Sequence, residues 1–138
     1  QNPGQPGPKN FKGTKPLSEP EARALYNFTL SRNFKAAIAY HASGELIYTR
    51  MDTEPYTRPL ANKVSAKTGY TVVNLKHSRS GGGYTDWLIL NLKKPALTLE
   101  IAPYVGSRPV PLSYWNQIWE ENNAVGLILA NEAYRHFR

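Results

Sequence analysis

The sequence predicts an α/β fold with helices on a largely buried sheet, and three observations carry that prediction. Helical periods alternate along the chain with short apolar runs, in the order α-β-β-α-β-loop-β-α. The runs at 34–42 (FKAAIAYHA) and 96–102 (ALTLEIA) are apolar almost throughout, as strands covered on both faces are. The composition, 41% hydrophobic and 20% charged over 138 residues, is that of one folded domain with a real core.

Residues 1–16 are rich in proline and glycine and lack periodicity, so they read as an extended leading segment, with the domain proper over 17–138. Ser18 followed by Glu21 has the spacing of a capping box, with Pro20 in the first turn. A helix is expected from there to about Ser31, burying Leu25 and Phe28. The run at 34–42 suits a central strand, and ELIYT at 45–49 a second, short one. Leu60 and Val64 share one face of a helix over 57–68, which Gly69 ends. TVVNL at 71–75 is β-branched and extended. The glycine-rich stretch at 78–87 (SRSGGGYTDW) is a loop in which Thr85 or Asp86 is placed to cap a short helix starting near Trp87. Pro95 breaks the chain before the strand at 96–102. One long helix over 113–137 then places Trp115, Ile118, Val125, Leu129 and Ala133 on its inner face.

Bulk properties narrow the function. There is no cysteine, which removes disulfides, thiolate metal sites and a thiol nucleophile, and is compatible with either side of a bacterial membrane. No apolar run approaches the ~20 residues of a membrane span, so none is expected. The net charge of +7 comes from scattered lysines and arginines without an aromatic-plus-basic cluster, so a solvated basic surface is expected and no nucleic acid partner.

Three features could carry chemistry. His41 ends an apolar strand and is followed by Ala42, Ser43 and Gly44, small residues that leave room at the carboxyl edge, where open α/β sheets bind ligands. A metal-ligating role and a buried structural role are equally compatible with that placement. Glu100, inside TLEIA, is a carboxylate in an apolar strand. Such a group costs several kcal/mol unless paired or coordinating, so it is either functional or held by a cation such as Arg108. Alternation puts it on the face of Thr98, opposite Leu99 and Ile101. The glycines at 81–83 permit close backbone approach to a ligand but lack nucleotide-binding spacing. His77, beside that loop, is a weaker candidate, and His136 sits where a cation favours a helix end.

These motifs, in order, resemble the second half of the zinc carboxypeptidase catalytic domain. The matching stretches are NFKGTKPLSEPEARAL, RNFKAAIAYHASGELIY, GGGYTDW and TLEIAP. The bacterial γ-D-glutamyl-L-diamino acid peptidases, which cleave peptidoglycan stem peptides, have near counterparts of YHASGELIY and GGYTDW. The resemblance implies half of a carboxypeptidase-like mixed sheet covered by helices. It implies His41 as one Zn2+ ligand and Glu100 as general base. It also implies a substrate pocket formed by Ser43, Gly82, Gly83, Tyr84, Thr85 and Asp86, with Thr85 at the position that sets side-chain preference.

The departures are equally specific. No H-x-x-E pair, the family's source of the first two zinc ligands, occurs in the chain. The family's substrate-carboxylate Arg/Asn cluster is absent, and Ser78 stands at the place of the loop tyrosine. Catalytic zinc takes three protein ligands, so this polypeptide by itself is expected to be inactive. An upstream half-domain or a second chain is expected to supply H-x-x-E, acting with this one on a peptide such as a cell-wall muropeptide. The competing expectations are a pseudo-enzyme and a non-catalytic basic module that binds an anionic polymer.

Overall fold

The computed structural model describes residue 11 and residues 13–50, 55–76 and 83–136. They fall into two compact units, Gln1–Phe34 and Lys35–Arg138. None of the described helices is long and apolar enough to cross a membrane.

The first unit is built on helix α1, Pro20–Leu30. The expected capping box does not form. Pro20 fixes φ at the first helical position, which makes Glu19, not Ser18, the N-cap residue. The Ser18 hydroxyl instead donates to Glu19 Oε1 at 2.7 Å, and Arg23 Nη1 donates to the carbonyls of Leu17 and Ser18 at 3.0 and 2.6 Å. Leu25 and Phe28, expected to be buried, are 43% and 52% exposed. Phe28 packs within its own unit on Phe34, ring centroids 5.4 Å apart, under the Arg32 guanidinium.

The second unit holds strands β1 (Ala37–Ala42), β2 (Leu46–Thr49), β3 (Thr71–Asn74) and β4 (Ala96–Ile101), arranged β1-β4-β2-β3. β1 runs parallel to β4, β2 antiparallel to β4, and β2 parallel to β3, a mixed sheet. Helix α2, Thr57–Thr68, buries Leu60, Ala61 and Val64. It ends at Gly69, whose left-handed φ of 79° lets its N–H reach the Ser65 carbonyl. These residues join Ile47, Leu97, Leu99, Tyr70 and Val125 in the main core, on one face of the sheet. The other face is covered by helix α3, Tyr84–Trp87, which runs on into a π-helical turn over Leu88–Leu92. There Leu88 and Ile89 pack on Ala96, with Ala37, Tyr84 and Trp87 around them. α3 starts on Gly83 with no side-chain cap, so neither Thr85 nor Asp86 caps it; both side chains are engaged elsewhere.

Two further expectations are corrected. The apolar run that suggested a central strand forms β1 at the edge of the sheet, paired among the described residues with β4 alone and exposed from Tyr40 onward. An apolar sequence reports that the faces of a strand are covered, but not how many neighbours it has. The single terminal helix is three elements: a 3-10 turn Leu112–Tyr114, helix α4 Trp115–Asn122, and helix α5 Val125–His136. Asn122 donates to the Ile118 carbonyl and to the Tyr70 hydroxyl, both at 2.9 Å, which ties the end of α4 to the core before α5 begins. Val125 is fully buried and Leu129 packs beside it, while Trp115, expected on the inner face, is 61% exposed.

Candidate active site

β1 and β4 run parallel, so their carboxyl ends lie at one end of the sheet, and His41 is the register partner of Glu100. Register partners on neighbouring strands are about 5 Å apart and project from the same face. Ala39 and Thr98 precede them on that face, and β2 adds Leu46 opposite Glu100 and Tyr48 opposite Thr98. The two candidate residues are therefore adjacent and point into one layer. Neither is fully buried: His41 is exposed at the sheet edge and Glu100 is half-buried. The sequence implied deeper burial for both. Among the described residues β1 has one neighbouring strand, β4.

The chain turns sharply after His41. The Ala42–Ser43 peptide is cis, and the Gly44 N–H donates to the Ala102 carbonyl at 2.8 Å. Gly44 lies over the glutamate, and a Cβ added there would meet Glu100 Cβ at 3.8 Å. Ser43 sits in this turn, half-buried.

Next to the pair is a pocket of about 500 Å3, lined by His41, Tyr48, Tyr84, Thr85, Asp86 and Thr98 among others. Gly83 lies at its rim. Gly82, together with Gly81, His77 and Ser78, lies outside the described residues. At the pocket wall the Thr85 and Thr98 hydroxyls are hydrogen-bonded at 2.7 Å. Asp86 is held by Arg50, Nε to Oδ1 at 2.8 Å. Tyr48, Leu75 and Arg50 belong to this site and were not singled out from the sequence. Tyr48 was within reach, because alternation in LIYT sets it opposite the buried Ile47. Arg50 was not, since its partner lies 36 residues away with no local pattern linking them.

Glu100 makes no ion pair among the described residues, so the proposed link to Arg108 is not formed there. The pair is a carboxylate beside an imidazole on one sheet face, and of the two His41 lines the adjacent cavity. As a metal centre it is partial: among the described residues no three His, Cys, Asp or Glu side chains gather to hold an ion. An imidazole is a ligand type that zinc accepts, and His41 offers one.

Comparison with known proteins bears on the family and the fold. The sequence pattern of the family described as zinc carboxypeptidase matches residues 2–124. The chain is 34% identical over 132 residues to gamma-D-glutamyl-L-diamino acid endopeptidase 1 of Lysinibacillus sphaericus, covering 94% of this chain and 32% of that protein. A second curated relative, YqgT of Bacillus subtilis, is matched over 33% of its length, so the chain spans about a third of these relatives. In fold it is similar to bovine thrombin-activatable fibrinolysis inhibitor, solved in complex with tick carboxypeptidase inhibitor. That match has a TM-score of 0.69 at 23% identity and covers 89% of this chain and 48% of that one. It is also similar in fold to carboxypeptidase A of Helicoverpa armigera, with a TM-score of 0.66 at 15% identity, covering 91% of this chain and 36% of that one. A mixed sheet that sets His41 beside Glu100, read with these likenesses, places the chain: it belongs to the zinc carboxypeptidase family.

Proposed function

We propose that the chain supplies the base, one metal ligand and the side-chain pocket of a zinc-dependent peptidase acting on bacterial cell-wall stem peptides. The observation that carries this reading is the register pairing of His41 with Glu100 beside an open pocket. The substrate class is supported by the likeness to an endopeptidase named for γ-D-glutamyl-L-diamino acid bonds.

Glu100 takes the proton of the attacking water and passes it to the leaving amine, acting first as general base and then as general acid. Tyr84, Thr85, Asp86 and Thr98 receive the side chain beyond the scissile bond, and Gly83 and the Ser43 turn border it. When bound, zinc contributes Lewis-acid polarisation of the carbonyl and a more acidic water. His41 holds one of its coordination positions. The others come from polypeptide beyond these 138 residues that carries H-x-x-E, either on the same chain or on a second one, because three protein ligands are needed.

Glu100→Gln keeps the size of the side chain and removes the base. In protein that includes the H-x-x-E polypeptide, hydrolysis of a γ-D-glutamyl-diaminopimelate peptide should fall by roughly 10²- to 10⁴-fold. Retention of activity within a few-fold would exclude Glu100 as the base. The 138-residue chain alone should show no zinc-dependent hydrolysis.

A further inference from the structure

Among the described residues that line the pocket, Asp86 is the one carboxylate. Its partner, Arg50, follows β2 and lies behind the wall, its side chain 5% exposed against 13% for Asp86. The guanidinium spans both carboxylate oxygens, Nε to Oδ1 at 2.8 Å and Nη2 to Oδ2 at 3.4 Å. Its Nη1 donates to the carbonyl of Leu75, another lining residue, at 2.9 Å. A carboxylate engaged in this two-pronged way has its charge compensated and its lone pairs in use, so it attracts an incoming ammonium poorly. The remaining polar side chains of the wall are the imidazole of His41 and the hydroxyls of Thr85, Thr98, Tyr48 and Tyr84.

We propose that Arg50 is a specificity-determining residue that acts through Asp86. It masks the acid, so the pocket accepts a side chain without net charge and discriminates against a bare cation. The sense of this as substrate selection rests on the peptidase reading above; the charge state of the pocket does not.

The test is an NMR titration of the full chain with two probes of equal length, n-butylammonium and n-butanol, reading the ratio of their dissociation constants. Glu100, on the same sheet face, is present in every protein compared, so changes in the ratio report on the pair. Arg50→Gln should shift the ratio toward butylammonium on the order of tenfold, and the shift should shrink in ~1 M salt. The double variant Arg50→Gln/Asp86→Asn should stay within about twofold of the unaltered chain, because it exchanges a charge-compensated pair for a neutral one. A folded Arg50→Gln with an unchanged ratio overturns the proposal. So does a double variant that loses butylammonium binding tenfold, since that would mean the acid was available all along. Should Arg50→Gln fail to fold, the double variant, which leaves no buried unpaired charge, decides alone. These ratios do not depend on hydrolysis, so their outcome is separate from that of Glu100→Gln.

Discussion

Tyr70 shows what a single side chain contributes here. Its ring is 2% exposed in the main core, its hydroxyl donates to Glu121 at 2.7 Å, and it accepts from Asn122. Burial, reinforced by the Glu121 hydrogen bond, raises its pKa from 10.0 to about 12. The unfolded chain therefore loses this proton at lower pH than the folded one. The associated stability is present in full below pH 10 and is lost as pH rises through 12. Tyr70→Phe should remove this dependence. Between pH 8 and pH 11 the unfolding free energy from urea titrations should fall further for the unaltered chain than for Tyr70→Phe, by about 1.4 kcal/mol. Equal slopes would mean the hydroxyl is not held in the core. At this scale the sequence disclosed what depends on local pattern. His41 before three small residues and Glu100 among apolar neighbours stood out alone. Arg50–Asp86 and Tyr70–Glu121 join residues 36 and 51 positions apart, and nothing in a linear reading connects them.

Elements were legible where one physical requirement dominated. α2 runs from Thr57 to Thr68, as its apolar spacing and Gly69 imply, because a helix laid across a sheet needs one buried stripe and a left-handed stop. Competing requirements defeated the reading elsewhere. At α1 both Ser18 and Pro20 were start signals, and the proline prevailed. In the terminal region the 3.6-residue period continued through Asn122–Asn123, but side-chain bonds to Ile118 and Tyr70 interrupt the helix there. β4 is the element on which the others depend, since it pairs with both β1 and β2. Leu99, fully buried between Tyr40 and Ile47 in the register, is its central core contact. Leu99→Ala should cost about 2–5 kcal/mol in urea denaturation. A loss below about 1 kcal/mol would show that α2 and α5 close over the gap, against the packing described.

For the molecule as a whole, the sheet has a charged and polar face at one end and an aliphatic core behind it. β1 pairs with β4 alone among the described residues, so its other edge has no strand partner among them. The same strand carries His41, so on the proposed function polypeptide that extends the sheet at this edge would stand next to that residue. The fold class could be read from alternating helices and apolar strands. The edge position of β1 could not, since strand order is set by long-range pairing and not by composition.

The account centres on His41 as a zinc ligand and Glu100 as a base beside it. Zinc stoichiometry tests this most directly, measured on protein that includes the H-x-x-E polypeptide, for the unaltered sequence, His41→Ala and Glu100→Gln. The account predicts one zinc per site in the unaltered protein and in Glu100→Gln, with hydrolysis lost in the latter, and zinc lost on dialysis from His41→Ala. Full zinc retention by His41→Ala would contradict it.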